Sequence, residues 1–557
     1  MRIKKLSMKN RWYCVLLLVC PLALCLRGYQ EPVIRANVQR VEVGIVATDA
    51  KGAPTEGLGA TDFRVWDNGK EQTIASFEKI AAGAVAAASP AAALPPNTYS
   101  NRIGDTDSPG FGKTGRPQVL SMILLDAVNT KYRHQAVARL AVEKILNELQ
   151  PGERIAIYAL GSEFRTIHDF SSDQASLLAS LNAYHGEVPP RDDLLEDLEY
   201  TYRGIPHQTP TRIACKVRTE PETPIELAAK NARILDTLET LEAIANHVKG
   251  VPGRKNLLWV TGAFPVMVGQ LALQGPIIAP SANSGRPSPY QSNQSYGDQM
   301  GRTMAALNDA GVSVYPIDAR GLSCNNEVAI NIDTMRDFAD ATGGKAFYNR
   351  NDIAQGMRAA LDDSREVYVL TYSPRSLPAD GAYHTIRVTN SRRGVQLRYR
   401  LGYYAPGKDQ GMADTGDRLN KLVSSPLDAS GIGLQAHVEA EPGEGGIHVT
   451  VHIDLADLNL PPVAEKWTGT LRLEAMQLGA AGELLGGVSA SVEIKLDQAA
   501  YQRALEQGMP FEMRFQRAPL AVAARIGVVD EPGVHAGSVL VPLPPPLRRL
   551  HEATQKE

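Results

Sequence analysis

The feature that most limits the fold is a rhythm between residues 118 and about 372, where short apolar runs alternate with helical stretches. Residues 119–125 form an apolar run closed by Asp126, the pattern of a strand buried on both faces. Residues 131–149 follow with helical periodicity and stop at Pro151-Gly152. Residues 154–160 and 164–170 read as two more strands. A long helix opens at Thr223-Pro224-Ile225-Glu226, a capping box with proline at the first helical position, and ends at Gly250. Residues 256–261, 312–317 and 367–372 read as strands, and 298–310, 333–342 and 351–364 as helices. Strands and helices in alternation predict a doubly wound α/β domain with a mainly parallel sheet.

β-type segments flank this domain. Residues 37–80 read as a small N-terminal β module, with a hairpin at Asp67-Asn68-Gly69. Residues 81–117 are rich in Ala, Pro and Gly and read as a linker. Residues 383–405 read as a β hairpin turning at 390–394, and residues 420–545 as a C-terminal β-sandwich. The last residues, 546–557, form a tail. The α/β rhythm breaks at 186–222 and 266–297, two polar inserts that follow strands. That places them at the carboxyl edge of the sheet, where open α/β sheets bind ligands.

The chain has 557 residues, 43% hydrophobic and 21% charged, which excludes a disordered chain or a multi-span membrane protein. Its net charge of −3 and low aromatic content give no pull toward nucleic acid. Residues 1–29 carry six basic residues and no acidic ones, and contain a nearly pure apolar run of 15 residues, Trp12 to Leu26, behind the first five of those charges. They read as a signal peptide, which makes the protein secreted, periplasmic or envelope-bound, with membrane contact only through that segment. The body then carries −9. Three of five cysteines lie in the leader, and Cys215 and Cys324 alone remain in the body. In an oxidising compartment they are either a disulfide pair or two separate thiols.

Several stretches, in order, resemble the von Willebrand factor A-related domain family common in Acidobacteria. They are residues 59–69, 121–130, Gly253-Arg-Lys-Asn-Leu-Leu-Trp-Val-Thr-Gly-Ala-Phe-Pro265, 312–321, Thr342-Gly-Gly-Lys-Ala-Phe347, 368–373 and 400–404. The resemblance implies a Rossmann-like adhesion or interaction module, exported and non-catalytic. It also implies a place for Mg²⁺ or another divalent cation in a loop after the first strand. Asp126 matches that loop, Thr130 replaces its second serine, and Asn129 adds an oxygen, whereas Val128 has none to offer. Thr261-Gly262-Ala263 stands where an aspartate belongs, and Thr223 is the candidate for the second-loop threonine. One carboxylate with two neutral oxygens is a poor ligand set for a hard cation. The alternative is that Asp126 and Thr130 cap the following helix, as the capping box accounts for Thr223.

Other motifs carry no chemistry. Gly110-Phe-Gly-Lys-Thr-Gly115 lacks the strand before and helix after that a phosphate loop needs, so no nucleotide is expected. His448 and His452 lie ~13 Å apart on a strand, too far to share a zinc ion. The acidic cluster Glu187, Asp192, Asp193, Glu196, Asp197 and Glu199 reads as a solvated face. The function expected is therefore an interaction protein, not an enzyme, that takes a protein or envelope glycan as partner. The alternatives are an extracytoplasmic hydrolase using Asp126 and the inserts, or a structural component of the envelope or secretion apparatus.

Overall fold

The computed structural model describes residues 41–81, 94–103, 120–187, 224–262, 264, 291–321, 326–363, 365–374, 382–405, 413–441, 445–458, 460–463, 465–531 and 535–545. The leader, Thr223, Cys215, Cys324 and most of both inserts lie outside the described residues. Among the described residues no helix is long and apolar enough to cross a membrane.

The chain opens with β1 (Val41–Thr48), β2 (Phe63–Asp67), β3 (Lys70–Gln72) and β4 (Ile74–Ala81), then β5 (Thr98–Ser100). The α/β part runs β6 (Leu120–Asp126), α1 (Tyr132–Asn147), β7 (Ile155–Leu160), β8 (Phe164–Ser171), α2 (Gln174–Ala183) and α3 (Pro224–Val248). It continues through β9 (Lys255–Thr261), α4 (Gln291–Asp309), β10 (Val312–Asp318), α5 (Asn326–Thr342) and α6 (Ile353–Asp362). Then come β11 (Glu366–Tyr372), β12 (Tyr383–Asn390), β13 (Gln396–Arg398), β14 (Gly402–Tyr404) and α7 (Ala413–Ser424). The last part holds β15 (Leu434–Ala440), β16 (Gly446–Ile453), β17 (Pro462–Val463), β18 (Lys466–Leu478) and β19 (Leu484–Leu496). It closes with α8 (Gln498–Gln507), β20 (Met509–Gln516), β21 (Ala523–Glu531) and β22 (Ala536–Pro542).

The protein is mixed α/β with several sheets, most of them antiparallel. Among the described residues parallel strand pairing is confined to one sheet ordered β10-β9-β6-β7-β8, in which β8 is antiparallel. Its four parallel strands are buried along their whole length. Side chains alternate between two cores, Met122 and Leu124 on one face and Ile123 and Leu125 on the other. The first core takes in α3 through Leu238 and Leu241, α4 through Leu307, and α5 through Phe338. The second takes in α1 through Val142 and Ile145, α2 through Leu181, and α6 through Met357. Burying both faces is what turns these strands into continuous apolar runs in the sequence.

The strand expected last in this sheet is not in it. β11 sits between β1 and β4 in an antiparallel sheet ordered β13-β1-β11-β4. Facing it across a shared core is the sheet β14-β12-β2-β3. The N-terminal module is thus completed by strands that follow the α/β part, and the α/β part is inserted within it. The hairpin expected over 383–405 is also corrected. β12 pairs with β2 and β14, and β13 crosses to pair with β1. The hairpin at Asn68-Gly69 does form: both residues have positive φ, 45° and 77°, as the tight turn between β2 and β3 requires. The two sheets share a buried polar cluster. Asp67 Oδ2 accepts from the hydroxyls of Tyr372 (3.0 Å) and Tyr403 (2.7 Å), and Oδ1 lies 3.1 Å from His384 Nδ1.

The stretch expected as linker contains β5, which pairs with β15. Asn101 next to it bonds the backbone of Ala429, Ile432 and Leu434. Arg102 reaches Asp454 (2.7 Å) and Asp457 (2.6 Å). The C-terminal part consists of the sheet β20-β16-β15-β5 and a second sheet in which β18 joins β17, β19 and β21, with β22 outside β21. One apolar core draws on both, including Val449, Val451, Leu471, Leu473 and Ile526.

Both β parts attach to the α/β part at the amino ends of its parallel strands. Arg254, just before β9, is buried and donates to Gly44 O of β1, to Tyr315 Oη (3.1 Å) and to Gly343 O (2.6 Å). Lys255, also buried, donates to Val251 O at 2.5 Å. Burial brings its ammonium down to about 8, against a smaller opposing pull from Glu42. On the other side, Ser430 donates to His247 O, accepts from Gly250 N (2.8 Å) and bonds Asn246 O through its own N–H (3.1 Å). A side chain on Gly250 would stand 2.1 Å from Ser430 O.

Candidate functional site

The carboxyl edge of the parallel sheet gathers the sequence-predicted residues. Asp126 ends β6 and is 1% exposed. Its Oδ1 accepts from the backbone N–H (3.0 Å) and Nδ2 (3.1 Å) of Asn129. Its Oδ2 accepts from Asn129 Nδ2 (2.9 Å) and Trp259 Nε1 (3.0 Å). Asn129 Nδ2 also donates to Thr237 Oγ1 (2.8 Å) on α3, which in turn donates to Arg233 O (2.7 Å). Thr130 Oγ1 accepts the N–H of Gly262 after β9 (2.8 Å). The structure therefore brings Asp126, Asn129 and Thr130 together, while Thr223 lies outside the described residues.

A hard divalent cation needs oxygen lone pairs that converge on a shared open point. Here N–H groups point at both oxygens of Asp126, and Thr130 faces an amide. This donor set does not fit a divalent cation. Among the described residues no group of three or more His, Cys, Asp or Glu converges as a metal site either. Burial pushes the Asp126 carboxyl above the usual carboxylate range, and donors from Asn129, Thr261 and Trp259 pull it partway back. The helix-cap alternative fails in its simple form. Lys131 occupies the N-cap of α1 and its side chain does not cap the helix, while Asp126 caps its own loop through Asn129.

A second carboxylate at the same edge was legible in the sequence as the end of a strand but not as part of a site. Asp318, 1% exposed, closes β10 and is held by Arg320 through Nε (2.9 Å) and Nη2 (2.8 Å). The two-residue spacing of a carboxylate and an arginine past a strand end is the signal that finds it. Trp259 was also missed as a functional neighbour. A tryptophan inside a fully buried strand must place its N–H on an acceptor, and the carboxylate on the adjacent strand is within reach.

Beside Asp126 opens a cleft of about 350 Å³. Leu125 and Val260 form its floor, Tyr132, Ala136 and Leu140 of α1 one wall, and Tyr184 the other. Leu140 is 61% exposed and Tyr132 49% exposed, unusual for large apolar side chains on one helix face. Polar groups set the rim. Gln135 donates to Ala127 O (3.2 Å) and Thr130 O (2.8 Å), and accepts from Glu187 N (3.2 Å). Arg139 caps the end of α2 through Leu181 O and Asn182 Oδ1 (2.8 Å). Burial pushes the Tyr184 hydroxyl up to about 12, with Glu187 adding to the shift. Glu187, expected on a solvated acidic face, is half-buried: its carboxylate accepts from Ser162 N just past β7 and faces Arg165 at 3.8 Å. The first insert leaves the described residues directly after it.

No family model matches the chain, and no curated protein matches it. Among solved structures it is similar to an aerotolerance-related membrane protein from Bacteroides fragilis, at 9% identity and TM-score 0.23, over 44% of this chain and 99% of that one. It is also similar to the SpRpn10 VWA domain, at 10% identity and TM-score 0.21, over 44% of this chain and 96% of that one. A third is the pilus adhesin SpaC from Lactobacillus rhamnosus GG, at 10% identity and TM-score 0.26, over 77% of this chain and 58% of that one.

Proposed function

We propose that this chain is an exported, non-catalytic interaction protein of the von Willebrand factor A-related type. In this reading a degenerate metal site has become a structural hub, and binding falls to the carboxyl edge of the parallel sheet. The observation that carries it is the pairing of a sealed Asp126 with an open apolar cleft directly beside it. Asp126 has no oxygen free to ligate a cation or to act as a general base. The cleft has the composition of a recognition site, largely apolar with a few polar groups at the rim. A protein segment or envelope glycan is the partner class, and the β parts hold the α/β part as a mount.

The test uses the purified chain in calorimetric titration with Mg²⁺, Mn²⁺ and Ca²⁺, with Asp126→Ala alongside. No saturable heat is expected for any of the three. Binding that Asp126→Ala abolishes would overturn the degenerate-site reading. Affinity capture from envelope extract, repeated in EDTA, should recover the same partner, and Leu140→Glu should lose it. Turnover on a hydrolase substrate panel that depends on Asp126 would sink the non-enzyme reading.

A further inference from the structure

The two C-terminal sheets treat their edges unequally. β20 carries Pro510, Glu512 and Arg514 along its exposed positions, β5 is three residues long, and residues 429–432 bond along β22. Proline, charge, shortness and cover are the usual means of blocking an edge from pairing with another chain. β19 uses almost none of them. It is 13 residues long, contains no proline, and pairs with β18 alone among the described residues. A register shift where Leu478 meets Leu484 distorts only its hairpin end. Its single charged pair, Glu493 and Lys495, bond each other at 2.6 Å on the outward face.

Side-chain direction sharpens this. Val492 packs on the core and Ile494 is 2% exposed, so positions 488, 490, 492 and 494 face inward. Yet Val488 is 36% exposed, because the core falls short of this end of the edge. Ser489 and Ser491 face outward and are exposed. Among the described residues β19 thus offers an unpaired backbone edge beside an apolar strip that is exposed at Val488, half-buried at Ala490 and Val492 and closed at Ile494.

We infer that β19 is a self-association edge, joining a second copy of this chain antiparallel to itself about a two-fold axis at Ala490. Self-complementarity selects this occupant. About that axis Val488 lies opposite Val492 of the other copy, Ala490 opposite Ala490, Ser489 opposite Ser491 and Gly487 opposite Glu493. The apolar strip of one copy meets the apolar strip of the other, small residues occupy the centre, and no like charges oppose. The two sheets become one continuous sheet across the contact.

The test is sedimentation of the purified chain over a concentration series. Wild type should move from monomer to dimer mass. Ser489→Lys with Ser491→Lys places lysine opposite lysine twice and should weaken the dimer at least about tenfold. Ser489→Lys with Ser491→Glu places lysine opposite glutamate twice and should restore it. Ala490→Cys should crosslink between copies under oxidation, while Val488→Cys should not. A monomer at every concentration, a dimer indifferent to the lysine pair, or no rescue by the lysine–glutamate pair would each overturn the inference. The serines are exposed, so circular dichroism should match wild type in both variants. If a variant does not fold, the Ala490→Cys crosslink decides alone, and its absence counts against the axis.

Discussion

At the scale of single residues, this protein tolerates buried ionisable groups where backbone and side-chain hydrogen-bond partners meet them. Arg254 is met by carbonyls and a tyrosine hydroxyl, Lys255 by one carbonyl, and Asp126 by N–H donors. For Lys255 burial sets the cost. Its ammonium loses its proton near pH 8 in the fold, against 10.5 ordinarily. Below about 8 both folded and unfolded chains are protonated, and the fold carries the full cost of the buried charge. Between about 8 and 10.5 the fold sheds the proton first, so that cost fades as pH rises. Lys255→Met should therefore be more stable than wild type at pH 7, by up to about 3 kcal/mol, the free energy equivalent of that shift. The gap should close by pH 10.5. Urea unfolding at pH 7, 8.5 and 10 checks both the sign and the window.

At the scale of elements, the sequence is most legible where strands are buried on both faces or helices are capped locally. Residues 119–125 could be read as a strand because every one of Leu120–Asp126 is buried. Residues 351–364 could be read as a helix because its start is capped locally, Asp352 accepting from Gln355 N at 2.9 Å. The placement of β11 was not legible, because an apolar run states that it is buried and not against which sheet. The crossing of β13 to β1 was hidden likewise, since its turn looks like that of any hairpin. Of the candidate site, Asp126 and its loop were visible. The sealing donors were not, since Trp259 comes from a strand far along the chain. The Gly343-Gly344 pair after α5 now has a reason. Gly343 takes φ +74°, and a side chain on Gly344 would stand 1.9 Å from Val314 O. Gly344→Ala should force β10 and α5 apart and destabilise by at least about 2 kcal/mol. Ala310, buried on the same core, has a side chain already, so Ala310→Gly serves as the mild control in thermal unfolding.

At the scale of the whole molecule, the order of the chain and the order of the parts disagree. The first β part closes only after the α/β part has been made, and β5 waits for β15. These long-range pairings slow folding relative to the α/β part, whose contacts are more local. The joint at Gly250 and Ser430 is where the C-terminal part docks. Gly250→Val should break it without touching either core. Calorimetry should then resolve two transitions where wild type shows one, and limited proteolysis should cut within residues 425–433.

Both attachments of the α/β part fall at one edge of its sheet. Arg254 holds β1 there, Ser430 holds the end of α3 there, and Arg358 of α6 is ion-paired with Glu153 just before β7. For a protein held at a surface, this sets the path of tension. A pull passed from one β part to the other runs along the amino edge, from joint to joint. The cleft beside Asp126 lies at the opposite edge, off that path, so under the proposed function a pull along the joints should leave the shape of the binding surface unchanged.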